Sequence, residues 1–523
     1  MAQVLDRPVA EAEAPLAAPT KRQIIFIMLG LMLGMLVAAL DQFIVSTALP
    51  TIVRDLGGLT ELAWVVTAYL LASTASMPLW GKLGDLWGRK PVFQAVLIIF
   101  LIGSALSGQS HNMGELIGFR ALQGLGGGGL FVIAQAAIAD VVSPRDRGRY
   151  VGLFGAVFGL ATIAGPLAGG WFVDNLSWRW VFYINLPIGA LALVIVQLAL
   201  RAPRAAHDVK IDYLGTALVA TGITALVLVT TLGGSTYAWA SVQVIGLLVA
   251  GVVLLAAFIF VERHAAEPVM PPHLFRIPVF TLTSVIGFTI GFAMFGAITF
   301  ISLFLQVVHG VSPTAAGLQL TPMMLGLIVM SIISGFAISR TGKYRVFPIV
   351  GTIIAAFGMV LLSRMDETTG GALTTLYMVV VGVGIGLVMQ VLVIAAQNAV
   401  EQRDLGVATS SATFFRQIGA SFGVAVFGAI FNNQLTSKVS ALLAANHVPS
   451  SALAGGVNQA FSDPSALSKL PPALAQQFLH AFASSLDVVF LAGAPLVVVA
   501  FIVAWFLPEI PLRKQVGMTE IAA

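Results

Sequence analysis

Two charges sit where hydrocarbon is expected. Asp41 lies inside the first long apolar run of the chain and Arg120 inside the fourth. A charge at such depth is costly in a bilayer and is kept paired or at a functional site. The first run is expected to leave the membrane near Pro50, so Asp41 lies roughly 13 Å deep at ~1.5 Å per residue. The fourth enters from the same face near Met113, which puts Arg120 roughly 10 Å deep. Similar depth permits an ion pair or a water-bridged contact. Proton transfer is the chemistry open to such a pair: a carboxylate beside Arg stays ionised, and one left in a poorly solvated cavity gains a proton more readily. Alternation between the two surroundings would couple proton entry to a change of shape; a static pair that locks the two helices is the other reading. Arg416 is a third intramembrane charge, roughly 15 Å from the opposite face. No acid lies at its depth in the same half, which leaves backbone carbonyls, a substrate group or Asp41 across a cavity as its partners.

The elements that position these charges follow from hydropathy. Of 523 residues, 58% are hydrophobic and 10% charged, with mean hydropathy +0.95; soluble domains carry about 25% charge. Fourteen runs are long enough to span: 24–49, 62–81, 92–108, 114–140, 148–172, 180–200, 212–232, 239–261, 279–307, 314–339, 346–363, 371–398, 406–431 and 482–507. The run after Lys21 and Arg22 is too long for a cleaved signal and is expected to stay in the mature protein. With both termini placed in the cytoplasm, 20 Lys and Arg fall in inner loops. Five fall outside (Arg54, Arg179, Arg364, Lys438, Lys469) and two, Arg120 and Arg416, within spans. Positive charge favours the inner side, so this skew supports fourteen spans.

The chain also repeats itself. The loop Gly81-Lys82-Leu83-Gly84-Asp85-Leu86-Trp87-Gly88-Arg89-Lys90 has a weaker copy at Gly335 to Lys343, with Ser339 in the place of Asp85. Arg145-Asp146-Arg147-Gly148 is echoed by Arg403-Asp404-Leu405-Gly406. The two matches share nearly one register, which pairs spans 1–6 with spans 9–14 and leaves 7 and 8 as an insertion. The expected fold is therefore an all-α integral membrane protein of two pseudo-symmetric six-helix bundles plus two inserted transmembrane helices. Its divisions are an N-terminal tail (1–23), a first bundle (24–200), a linker with the inserted pair (201–278), a second bundle (279–507, including an outer loop at 432–480) and a C-terminal tail (508–523). Bundles related in this way enclose a midplane cavity and rock about it.

The fifth span carries Gly155 and Gly159, then Gly165-Pro166-Leu167-Ala168-Gly169-Gly170. Glycines four apart make a face that another helix can approach closely, and Pro166 removes a backbone hydrogen bond and bends the helix. This face is expected to meet the other half and seal the cavity; Gly126 to Gly129 offer the fourth span a similar contact. Gly81, Asp85, Gly88, Arg89, Arg145 and Asp146 form a candidate cytoplasmic latch, whose pairing would differ between two states.

These stretches in order resemble the major facilitator superfamily, in particular its fourteen-helix drug:proton antiporter branch. The resemblance rests on Leu40 to Pro50, Gly81 to Lys90, Arg120-Ala121-Leu122-Gln123-Gly124, Gly159 through Gly170, Trp178 to Gly189, and Phe415-Arg416-Gln417-Ile418-Gly419. It implies efflux of lipophilic compounds in exchange for protons across a bacterial plasma membrane. Asp41 would be the proton-linked acid, Arg120 its partner, and Gly159, Gly165, Pro166, Gly169 and Gly170 the hinge. Gln42, Phe43, Gln123, Asn185, Phe415 and Arg416 are the candidates for the cavity and its substrate. No acid lies deep in spans 9–13, so neutral, zwitterionic or anionic amphiphiles fit at least as well as cations.

Several classes are set aside. With no cysteine there are no disulfides or thiolate metal sites, and no metal site or cofactor is expected; the proton gradient would drive transport. No basic patch points to nucleic acid, and no Ser-His or His-Glu-x-x-His arrangement points to an enzyme or a catalytic residue. The expected partners are a lipophilic small molecule, protons and the bilayer, with the chain acting as a monomer. Export of an endogenous lipid or secreted metabolite, and a non-transporting receptor or scaffold, are the competing readings.

Overall fold

The computed structural model describes residues 20–57, 62–200, 212–234, 237–265, 267–445 and 472–512. Within these the chain is helical, because a backbone in hydrocarbon must satisfy its own polar groups. In order come α1 (Lys21–Leu56), α2 (Leu62–Trp87), α3 (Arg89–Gln109), α4 (Met113–Val141), α5 (Pro144–Asn175) and α6 (Asn185–Ala199). The inserted pair is α7 (Tyr213–Leu232) and α8 (Val242–Glu262). The second half holds α9 (Pro278–Val307), α10 (Thr321–Thr341), α11 (Val346–Leu362), α12 (Gly371–Ala399), α13 (Leu405–Ala445) and α14 (Pro472–Trp505). Among the described residues, 12 helices are long and apolar enough to cross a membrane. The 17-residue apolar α11 and α2 complete the fourteen expected segments.

Local chemistry sets the helix starts. Thr20 and Gln23 close a reciprocal cap on α1, and Asn112, Ser143, Asp212 and Ser241 each accept a backbone N–H at the starts of α4, α5, α7 and α8, as short polar side chains do at N-caps. Gly88 has φ 88°, which lets α2 reverse into α3 across a single residue.

The halves share one packing scheme. In the first, α1 packs on α5 and α6, α4 on α2 and α3, and α3 on α6; in the second, α9 packs on α13 and α14, α12 on α10 and α11, and α11 on α14. The cross-contacts are symmetric as well, α5 against α10 and α13 against α2. The inserted α7 lies on α2 and α13, one helix from each half, and α8 rests on α7. Val242, Val249, Val252, Val253 and Phe260 of α8 face outward, a surface suited to lipid and not to water.

Two expected boundaries are corrected. Helix α1 does not stop near Pro50 but runs to Leu56. Ile52 is buried beside Trp178 and Met113, and the Trp178 indole donates to Asp55 at 2.9 Å, which holds the extra turns despite the proline. The outer loop expected at 432–480 is largely helix at both ends, since α13 continues to Ala445 and α14 begins at Pro472. Leu435, Val439 and Leu443, four residues apart, form one buried stripe in a cluster with Phe478 and Phe482. Residues 446–471, like the two tails up to 19 and from 513, lie outside the described residues.

Candidate functional site

Asp41 is fully buried, 0% exposed, inside the first half. Its Oδ2 accepts from Arg120 Nη1 at 2.5 Å, and its Oδ1 accepts from Gln123 Nε2 at 2.8 Å and Asn185 Nδ2 at 3.2 Å. Helices α1, α4 and α6 thus close a cage of three donors around one carboxylate. A carboxylate accepts at both oxygens, so all three donors are met. Arg120 is fixed in turn: its Nη1 also donates to Gln123 Oε1 at 2.8 Å, its Nε donates to the Val65 carbonyl at 3.2 Å, and its guanidinium lies 4.3 Å from the Tyr69 ring centre. Asn185 is aligned by donating to Ser104 Oγ at 3.0 Å, and Ser104 donates to the Phe182 carbonyl at 2.9 Å.

The residue after Asp41 turns to a cavity between the halves. Gln42 lines it with Gln135, Gln390, Thr413, Arg416 and Gln417, among apolar walls that include Phe131, Phe154, Phe158, Met324 and Met389. The free space is about 60 Å³, enough for a few waters. A second chamber of about 390 Å³ adjoins it between α2, α7, α9 and α13; Phe295 and Gln417 line both. That volume is in the range of small-molecule sites.

The halves are closed at the face that bears Gly81 to Lys90. Gly148 of α5 and Gly335 of α10 touch backbone to backbone, and a Cβ on either would overlap the other's carbonyl oxygen. Ile338, Val391, Ile394 and Ala395 of the second half complete the apolar core of the first. Asp85 bridges the gap electrostatically. It pairs with Arg89 Nη2 at 2.5 Å and accepts from the Gly406 and Val407 backbone N–H groups at 2.8 and 2.9 Å. A carboxylate on α2 therefore caps the first turn of α13, where free N–H groups and the helix dipole favour an anion. Arg89 is anchored on its other side by Asp140 at 2.8 Å. Burial lifts the Asp85 carboxyl to about 6, against the opposing pull of Arg89 and the two amides.

Comparison with known proteins places this geometry. The model of the Major Facilitator Superfamily matches residues 31–424. The chain belongs to the major facilitator superfamily. It is 46% identical over 501 residues to an uncharacterized MFS-type transporter of Mycobacterium tuberculosis, covering 96% of this chain and 72% of that one. It is 39% identical over 506 residues to the multidrug transporter protein MdtP of Bacillus subtilis, covering 93% of each. The solved structure of the proton:xylose symporter XylE matches with TM-score 0.62 at 15% identity, over 94% of this chain and 97% of that one, a likeness of fold alone. This member of the superfamily is a multi-pass membrane transporter.

The transporter distributes its expected site residues unevenly. Asp41 and Arg120 are brought together, and Gln42 and Arg416 line the cavity. Gln123 and Asn185 do not: both belong to the carboxylate cage, since helix rotation turns them inward. Phe43 packs edge-on to Phe158, 5.4 Å between ring centres. Phe415 faces Phe275 and Phe414, away from the cavity. Asp41 is not the partner of Arg416, because its oxygens are already engaged.

The glycine face of α5 divides. Gly148, Gly152, Gly155 and Gly159 meet α10 of the other half, whereas Gly165 and Gly169 meet Phe43, Ile44 and Thr47 of α1 in the same half. Gly170 has no neighbour within 4 Å, and helix α5 passes through Pro166 without interruption. Gly126 to Gly129 pack on α2 and α3, not across the gap.

Of the latch residues, Gly81 lies against Gly406 and Ser410, and Gly88 turns the chain into Arg89. Asp146 instead accepts from Ser143 Oγ at the start of its own helix, and the Arg145 side chain lies outside the described residues. Sequence reasoning missed Asp140 and the cavity amides Gln135, Gln390 and Gln417. Gln135 and Gln390 sit in apolar runs, and that was their available signal.

Proposed function

We propose that this transporter exports lipophilic or amphiphilic small molecules, the multidrug efflux class, in exchange for protons by alternating access. It would work as a monomer in a bacterial plasma membrane with both termini in the cytoplasm, drawing on the proton gradient and no cofactor. The observation that carries the reading is the Asp41 cage. A fully buried carboxylate held by donors from three helices ties any change at that acid to the packing of α1, α4 and α6, which supports a coupling of proton uptake to helix movement. Asp41 and Gln42 are adjacent on α1, so the same helix carries the acid and one wall of the cavity. A shift of α1 that withdraws Asp41 from Arg120 also reshapes the space where a substrate would sit. The similarity to MdtP, named a multidrug transporter, supports the substrate class.

The test is transport by purified protein in proteoliposomes under an imposed pH gradient, with cationic, neutral and anionic amphiphiles. Asp41→Asn should remain folded in the membrane and lose substrate-dependent proton release. Normal release from that variant would overturn the assignment.

A further inference from the structure

Arg416 has no counterpart. Helix α13 carries it to the cavity wall, and among the described residues its side chain makes no ion pair or hydrogen bond; no carboxylate lines that cavity. Asp41 cannot neutralise it, because Arg120, Gln123 and Asn185 occupy both carboxylate oxygens. Gln135 and Gln390 line the same space, are 3% and 4% exposed, and have carbonyl oxygens without a hydrogen-bond partner. Buried polar groups left unpartnered are costly, and a lone cation is costlier still. Three such groups around one small space describe a site waiting for a polar ligand group.

The space has room for a head group and not for a drug-sized body. Past Phe295 and Gln417 lies the chamber of about 390 Å³, partly walled by α7 and Trp239 of the inserted pair. No charged side chain lines it, and Thr67, Thr230, Ser421 and Asn432 supply scattered polar atoms. We infer that the transporter recognises acidic amphiphiles at a two-part site: Arg416, with Gln135 and Gln390, binds a carboxylate, sulfonate or similar acid group, and the apolar body lies in the side chamber beneath the inserted helices. Arg416 supplies the charge and planar donors that match an oxyanion. The side-chain N–H groups of Gln135 and Gln390 donate to the oxyanion, while their carbonyl oxygens accept from a donor on the ligand or from water. The inserted pair gains a role as one wall of the binding site. This inference rests on the export reading above and adds the substrate class to it.

The test uses dansyl-undecanoate, its methyl ester and ethidium with the purified full-length transporter, reading binding by fluorescence and export in proteoliposomes. The wild type should bind the acid at least about tenfold more tightly than the ester, about 1.4 kcal/mol. Arg416→Gln should erase that preference while ester binding persists, and Arg416→Lys should restore part of it. Gln390→Leu should weaken acid binding about threefold with the ester unchanged, a check that leaves the charge in place. Ala425→Trp, which fills the chamber, should weaken dansyl-undecanoate binding and leave displacement by benzoate unaltered.

Equal affinity for acid and ester in the wild type, or equal loss of both in Arg416→Gln and Gln390→Leu, overturns the head-group site. An unchanged affinity in Ala425→Trp overturns the placement of the body. Export of ethidium or the ester without the acid defeats this inference and leaves the export reading standing. If no probe responds to the pH gradient, the export reading fails first.

Discussion

The two halves share a packing scheme but not a charge chemistry. In the first, Asp41 pairs with Arg120, and Arg89 pairs with both Asp85 and Asp140. In the second, the corresponding loop carries Ser339 where the first carries Asp85, and Arg416 faces the cavity with no acid. Duplication preserved the way helices pack because small and apolar contacts are set by shape. Charges diverged, because each buried ion needs its own partner set and only a few positions supply one. The lesson is a division of labour, with the caged acid housed in one half and, among the described residues, the unpaired cation in the other.

The largest expected effect contrasts Arg120 with Arg416. Arg120→Leu strands the Asp41 carboxylate in the bundle interior and should cost ~3–5 kcal/mol of stability, seen as loss of monodisperse protein on fluorescence-detected gel filtration. Adding Asp41→Asn to that variant should recover much of the folded yield. Arg416→Leu strands no partner and should keep a wild-type elution profile. A matching collapse of both single variants would break the contrast between the halves.

Next in size is the glycine contact. Gly335→Leu cannot be accommodated against the Gly148 carbonyl, so the face near Gly81 should be held open. Because the natural chain has no cysteine, spin labels at Trp87→Cys and Arg403→Cys, both exposed and in opposite halves, report that opening directly. Gly170→Leu, at a position with no neighbour, should leave the label distance unchanged.

Asp85→Asn should act more gently. It keeps the shape and an acceptor for the cap on α13 while relieving the charge that burial opposes, so at pH 7 the closed fraction should rise, by up to about tenfold. The pH dependence has a definite sign. The closed state holds the Asp85 proton up to about 6, whereas a solvated Asp releases it near 3.8. Acid therefore favours closure: the contribution is complete below about 3.8 and is lost as pH rises through 6. Label distances measured between pH 7 and pH 5 should shift toward closed in the wild type and stay flat in Asp85→Asn.

The smallest effect is expected from Ser339→Asp, which writes the missing acid into the second loop. The start of α5 is already capped by Ser143, so the gain should stay below about 0.5 kcal/mol, within the scatter of the same distance measurement. A closure as strong as that made by Asp85 would show that the asymmetry lies in one side chain alone.

Much of this was legible along the chain. A bilayer imposes its demands on the sequence one residue at a time, so run length, the Lys and Arg skew and the two isolated charges at Asp41 and Arg120 could be read without knowing any contact. The internal repeat added the two-half arrangement. Gln123 and Asn185 were readable as candidates but not as cage members, because an amide in an apolar run carries no sign of which way its helix is turned. Asp140, at the end of a run, looked like any interfacial charge.

What the sequence determined by itself was which segments lie in the membrane and which charges must be buried there, since the cost of burial depends on residue type and depth. What only the tertiary structure decided was the partner of each group: three donors for Asp41, the first turn of α13 for Asp85, a split role for the glycines of α5, and none among the described residues for Arg416. Those outcomes depend on the rotation of each helix about its axis and on how two halves meet, and both are fixed by side-chain packing summed over many distant residues.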